Sequence, residues 1–286
     1  KLGGLISDEL LISKEKVELS ATICKTDLIS EIVREFPELQ GIMGGYLSHA
    51  QGFDKEIVNA IKEQYLPLGI NSVVPKKPYS ISLSLADKID TLTGFFGIDE
   101  KPSSSKDPYA LRRVALGIIR ILIENKKDIK INNLFINSLN IYSNQDLEFS
   151  NDNIIKDISN FLIDRFKYYC KEKNLRHDII EAVTNSFDLN KISTNFEKAK
   201  SLNKVINKPI GEDIVSSYKR ASNILNSEIK NINENFSNTT DPGIFKNDFE
   251  KTLFKKTKQL KEYFSGVLNR ENYDEFFKRY FEVYNV

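Results

Sequence analysis

The chain has 286 residues, a length that accommodates two domains, each able to bury its own core. Hydrophobic residues make up 40% and charged residues 28%, the balance of an ordinary globular protein. Lys and Arg number 41 against 40 Asp and Glu, a formal net charge of +1, so total charge gives no ground for a nucleic-acid partner and only a local basic surface could supply one.

The first stretch, KLGGLISDELLISKEK, lacks the layout of a signal peptide, and its opening Lys reads as the start of a piece of a longer chain. No apolar run reaches the length of a membrane span, since ALGIIRILI is interrupted by Arg120. Helical periodicity then dominates. DLISEIVREFP predicts a helix with Leu28, Ile29, Ile32, Val33 and Phe36 on one inward face, stopped at Pro37. LQGIMGGYLSHA places Leu39, Ile42, Met43, Tyr46, Leu47 and Ala50 on one face and leaves another side bare at Gly41, Gly44 and Gly45. Three helical glycines cost about 1 kcal/mol each relative to Ala, which points to a close helix crossing or the close approach of a ligand. DKEIVNAIKEQYLP predicts a short helix, LGINSVVPKKPYS a loop, and ISLSLADKIDTLTGFFG a helix with Leu85, Ala86, Ile89, Leu92 and Phe96 inward.

In SKDPYALRRVALGIIRILIE, Asp107 is expected as N-cap and Pro108 as first helical residue. Leu111, Val114, Ala115, Ile118 and Leu122 form its core face, and Arg113 and Arg120 share a flanking stripe. KKDIKINN after Asn125 is a polar break and the expected domain boundary. Longer helices follow from Ile154, Asp178, Phe196, Ile214, Phe245 and Tyr273, with NENFSNTTDPG (233–243) as a loop. No internal repeat and no convincing strand is found; KINNLFINSLNIYS is the most ambiguous stretch.

Catalytic chemistry is sparse. Cys24 and Cys170 read as buried free thiols in a reducing compartment. Two cysteines and two histidines make no zinc site of the usual spacing. Asp87 and Asp90 lie three apart on one helical face, where they could share a metal or a proton or simply face solvent. His177–Asp178 precedes an apolar helix, so Asp178 is read as an N-cap; His49 is isolated. No phosphate loop, dinucleotide fingerprint or nucleophile elbow occurs, so no catalytic residue and no metal ligand set is assigned. Basic residues are more telling. Ser216, Lys219, Arg220 and Asn223 share a polar face opposite Ile214, Tyr218, Ala221 and Leu225. Lys251, Lys255, Lys256 and Lys258 flank Phe249, Leu253, Leu260 and Phe264. Cations, amides and aromatic rings together suit single-stranded RNA, although each helix also reads as an ordinary solvated face.

KTDLISEIVREFPELQGIMGGYLSHAQG, VNAIKEQYLPLG, SLADKIDTLTGFFGI and KPSSSKDPYALRRVALGIIRILIE resemble, in order and spacing, the β subunit of bacterial glycyl-tRNA synthetase, with EFPELQGIMG and SKDPYALRRVALGIIRI the most specific segments. YKRASNIL resembles the helix of its C-terminal anticodon-binding domain. The likeness is strong over 20–125 and looser over 126–286. It implies an all-α fold of two consecutive helical domains. Residues 1–125 would form an HD-like domain, and 126–286 a helical-bundle (DALR-type) anticodon-binding domain that stops short of the family's last helix. Metal-binding HD enzymes require His, His-Asp and Asp. Here Lys25 and Asp27 stand where His-Asp would be, and Asp87 matches the last aspartate, so the resemblance implies a dismantled metal site.

The family enzyme, a cytoplasmic α/β heterotetramer, joins glycine to tRNA(Gly) with ATP. Its α subunit carries the catalytic core and uses ATP and Mg²⁺, and β recognises tRNA. This chain, lacking the larger N-terminal part of a β subunit, is thus expected to bind tRNA without itself being catalytic, and to bind no cofactor, DNA or membrane. Lys106, Arg112 and Arg113 are the candidates for phosphate contact in the first domain, with an intradomain ion pair from an arginine to Asp87 or Asp90 as the competing role. Lys219, Arg220 and Asn223 are the candidates on the anticodon side. Two other readings are kept. One is an HD-type nucleotide phosphohydrolase holding a divalent metal on Asp27 and Asp87. The other is a structural module docking the α subunit, with Gly41, Gly44 and Gly45 as its packing face.

Overall fold

A computed structural model describes residues 1–143, 153–231, 240–267 and 273–284. Among them the secondary structure is α-helical with short 3-10 turns and no strand, the all-α architecture that the sequence predicts. Two compact units form: residues 1–174 with 184–195, and residues 175–183 with 196–286.

The first unit opens with α1 (Leu2–Leu10) and α2 (Lys14–Ile23), the latter capped by the Ser13 hydroxyl. Neither helix is picked out by the sequence reading. A 3-10 turn (Thr26–Ile29) and the short α3 (Glu31–Glu35) replace the single helix expected over 27–36. That break changes which side chains face inward. Only Asp27 and Val33 are buried, while Leu28, Ile32 and Phe36 are exposed and Ile29 is 82% exposed. Next come α4 (Ile42–Ala50) and α5 (Lys55–Glu63). On α4 the buried residues are Gly44, Gly45 and Ser48, and Tyr46 and Leu47 are exposed, the reverse of the apolar-face expectation. A Cβ on Gly44 would stand 2.9 Å from Cγ2 of Ile61, and one on Gly45 would stand 3.0 Å from Cβ of Lys62. The bare side of α4 is thus a close crossing with α5. The glycine face lies inside the unit and is not a docking surface for another chain.

Helix α6 (Pro78–Gly97) is the centre of the unit, packed by α1, α2, α5, α7 (Leu111–Glu124), α8 (Ile131–Ser143) and α9 (Ile154–Glu172). Leu85, Ile89, Leu92 and Phe96 are buried as predicted, and so are Ser80, Ser82, Ser84, Lys88 and Thr93 on the other sides. Each fully buried Leu, Ile or Phe contributes about 1.5–3 kcal/mol of transfer free energy. In α7 the predicted Leu111, Ala115, Ile118 and Leu122 are buried and Val114 is half-buried. The helix begins three residues later than expected, after Ala110 at φ 55°. Asp107 still satisfies its first donors, accepting from the amides of Leu111 (2.8 Å) and Arg112 (3.0 Å), but across an intervening turn instead of as the adjoining cap. The ambiguous stretch 130–143 is helical, and α8 and α9 pack on α6, so the polar break after Asn125 falls inside the first unit.

The second unit contains α10 (His177–Thr184), most of α11 (Ile192–Ile206), α12 (Pro209–Asn231), α13 (Asp248–Val267) and α14 (Tyr273–Tyr284). The expected helices lie within a few residues of these bounds. Of the predicted loop 233–243, residues 233–239 lie outside the described residues; Pro242–Ile244 form a 3-10 turn. Asp178 sits in the first turn of α10 and pairs with Arg176 (2.7 Å) instead of capping from outside; the Arg176 guanidinium holds its carboxyl below the usual carboxylate range.

Candidate functional site

Residues of helices α1, α2, α6 and α8, with the segment 24–29, line a solvent-open cavity of about 630 Å³ in the first unit. Lys25, expected from the sequence as a relic of a metal site, lines it together with Asp87 and Asp90. The Lys25 ammonium lies 2.7 Å from Oδ1 of Asp87. Burial works against the charge of Lys25, and the Asp87 carboxylate outweighs it, so its pKa is raised. Asp87 and Asp90 therefore share a face as predicted, but it borders the cavity and neither is fully solvated. Burial raises the Asp90 carboxyl, against a hydrogen bond from Tyr142 and the charge of Lys25. The same cavity borders Cys24, whose thiol burial pushes up to about 11. Cys24 and Cys170 are both buried free thiols.

Asp27 is fully buried and does a different job. Its Oδ2 accepts from the amides of Gly41 (2.7 Å) and Gly44 (2.9 Å), tying the 3-10 turn to the start of α4. Gly41 adopts φ 77°, and a Cβ there would lie 2.9 Å from the Tyr65 ring, so both its conformation and its contact demand glycine. Asp27 commits Oδ2 to backbone amides, and its buried Oδ1 has no hydrogen-bond partner among the described residues; Asp87 is held by the Lys25 ammonium, whose charge opposes a metal between the two carboxylates. Among the described residues no group of three or more His, Cys, Asp or Glu is placed to hold a metal ion.

The cations of the α7 region divide in the structure. Arg120 is buried, held by Glu124 (2.7 Å), the Ser72 carbonyl (2.6 Å) and the Gly69 carbonyl, so it pins the 69–72 loop and does not share an outer stripe with Arg113. Arg112 is half-buried; its guanidinium donates to the Ser103 carbonyl and stands 3.8 Å from Asp107. Arg113 and Lys106 are exposed. Neither arginine pairs with Asp87 or Asp90, the competing role for them. In the second unit Lys219, Arg220 and Asn223 are exposed on α12, as are Tyr218 (65%) and Leu225 (53%) on the face expected to be covered. The side chain of Ile214 lies outside the described residues. On α13 Phe249 is 74% exposed, and Phe254 turns inward against Phe245. The two histidines stay apart from any cluster; exposed His177 reaches Glu181 at 3.9 Å.

The sequence reading misses Lys88, which is buried and donates to Ser84 Oγ (2.8 Å) and the Gln64 carbonyl (3.3 Å). Burial lowers its pKa to about 8. Gly117 on α7 makes room for it, since a Cβ there would lie 2.7 Å from the Lys88 Cε. A lysine four residues after Ser84, on a helix whose remaining sides carry small Ser, Ala and Thr residues, is the signal that could have revealed it.

Residues 1–185 match the family model described as glycyl-tRNA synthetase beta subunit. Curated relatives include glycine–tRNA ligase beta subunits of Ruegeria sp. (strain TM1040), 36% identical over 256 residues, and of Rickettsia felis, 38% identical over 256 residues; each match covers 90% of this chain and 36% of the relative. The corresponding protein of Rhodospirillum centenum is 38% identical over 216 residues, 76% of this chain and 30% of its own length. The chain thus spans about a third of the length of the curated relatives it matches.

Proposed function

The chain belongs to the glycyl-tRNA synthetase beta subunit family, and from that premise we propose that it is the tRNA-recognition part of the β subunit of a heterotetrameric glycine–tRNA ligase. The holoenzyme joins glycine to tRNA(Gly) with ATP in the cytoplasm. The α subunit is the partner that holds ATP, Mg²⁺ and glycine, and this part of β binds no cofactor. The observation that carries the reading is the match of residues 1–185 to the family, joined by relatives similar over nine-tenths of the chain. The first compact unit, residues 1–174 with 184–195, acts as an HD-like domain whose metal site is replaced by the Lys25–Asp87 pair, and the second, residues 175–183 with 196–286, acts as the anticodon-binding domain. Among the described residues no helix is long and apolar enough to cross a membrane.

RNA contact falls to exposed cations. Lys106 and Arg113 meet backbone phosphates, with Arg112 holding the 103–107 loop beside them as well as offering charge. Lys219 and Arg220 meet phosphates on the anticodon side, and the Asn223 amide can read a base edge. The test is fluorescence anisotropy with tRNA(Gly) across a salt series, beside the same tRNA with its two anticodon cytosines replaced. Binding that weakens steeply with salt and falls for the altered anticodon is expected, the slope counting phosphate contacts. Equal, weak binding to both would leave the chain as a docking module for the α subunit.

A further inference from the structure

The cavity beside Lys25 is unused by the tRNA reading. Its apolar walls are formed by Leu2, Ala21, Ile29, Leu83, Ala86 and Ile141, beside the hydroxyl residues Thr22 and Thr26. None of its lining residues is aromatic, so a flat base would find no ring to stack on. At about 630 Å³ it falls within the range of small-molecule sites. Its lining includes the charged side chains of Lys1, Lys25, Asp87 and Asp90. Lys25 and Asp87 satisfy each other, while the half-buried Asp90 has the Tyr142 hydroxyl as hydrogen-bond partner and no ion pair among the described residues. The Lys25 side chain is 51% exposed and keeps N–H capacity beyond the bond to Asp87.

A metal ion fits this set poorly, because one of two carboxylates is already held by an ammonium that would repel it. A ligand of single charge fits poorly too, since it would leave either Asp90 or the spare N–H groups of Lys25 unanswered. We propose that the cavity binds an aliphatic α-amino acid: its ammonium donates to Asp90, its carboxylate accepts from Lys25, and its side chain lies against Leu83 and Ala86. An ammonium and a carboxylate on one carbon match an aspartate held by a tyrosine hydroxyl without an ion pair and a lysine with spare N–H groups, both lining one cavity, and the apolar walls select the side chain.

The test is isothermal titration of the intact α/β enzyme with leucine, alanine, 3-methylbutylamine and 3-methylbutanoate. Leucine is not the amino acid that this enzyme family activates, so its heat reports this cavity. Leucine is expected to bind saturably, at least tenfold tighter than alanine, the amine or the acid. Asp90→Asn is expected to weaken it by tenfold or more, and Ala21→Leu, which fills the space from the α2 side, to abolish it, with the melting temperature of each variant confirming that it is folded. Absence of leucine binding to the intact enzyme would overturn the proposal, as would unchanged affinity in both variants, or an amine that binds as well as leucine. Binding of tRNA(Gly) by the same preparation separates this failure from failure of the family reading.

Discussion

The Lys25 ammonium stands 2.7 Å from the Asp87 carboxylate, a half-exposed cation on a carboxylate that is only 14% exposed. The two residues come from the turn after α2 and the middle of α6, so their pairing ties the two elements. Because Asp87 raises the pKa of Lys25, the pair contributes stability that is fully present below the ordinary lysine value of 10.5 and is lost as pH rises through the higher folded value. Lys25→Met is expected to cost about 1 kcal/mol at pH 7, the exposure of Lys25 limiting the effect, and to remove that alkaline loss. Thermal melts of both proteins between pH 7 and 11 check this.

Lys88 has the opposite slope in a lower window. Burial lowers its pKa to about 8, so between about 8 and 10.5 the unfolded chain binds a proton that the folded chain does not. Its contribution therefore makes the fold more stable as pH rises through that range, by about 3 kcal/mol in all. In Lys88→Met this rise is expected to vanish, seen as a flattened dependence of the urea midpoint on pH.

Asp27→Ala would leave the buried amides of Gly41 and Gly44 without their acceptor and is expected to destabilise the first unit by about 3 kcal/mol. Asp27→Asn retains one acceptor oxygen and should cost less. Denaturant titration of the two variants gives the ranking; an equal loss would mean that the charge, and not the acceptor, matters.

Gly44→Ala and Gly69→Ala should part company. The first would drive a methyl to within 2.9 Å of Ile61 and 3.1 Å of Asp27, costing about 1–3 kcal/mol. The second has nothing within 4 Å and no left-handed backbone, so it should be neutral or stabilising by up to about 1 kcal/mol. Melting temperatures measured side by side separate packing from backbone entropy.

Arg113→Ala and Arg120→Ala also separate binding from folding. Loss of exposed Arg113 should weaken tRNA binding and reduce the salt slope by about 1, leaving the melting temperature in place. Loss of buried Arg120 frees two loop carbonyls and Glu124, so its effect should appear as instability instead. Lys219→Ala and Arg220→Ala are expected to behave like Arg113→Ala.

Periodicity made α6 and α7 legible, because a long helix against a core repeats its apolar residues at helical spacing. It failed over 27–36, where a 3-10 turn breaks the repeat and turns Leu28, Ile29 and Ile32 outward. The glycines of α4 showed a close crossing, but that the crossing partner was α5 depended on tertiary packing. Lys25 and Asp87 were each singled out as positions, yet a salt bridge between residues so distant in sequence leaves no local mark. The same holds for Arg120, whose carbonyl partners at Gly69 and Ser72 are backbone atoms that any residue could supply.

Helix α6 is packed by α1, α2, α5, α7, α8 and α9, with Asp87 and Asp90 bordering the cavity. No fluctuation of a single neighbour can hydrate it all round, so its central amides should exchange with deuterium only when the whole first unit opens. The amides of α12, with side chains exposed on opposite faces, should exchange by local fraying long before that.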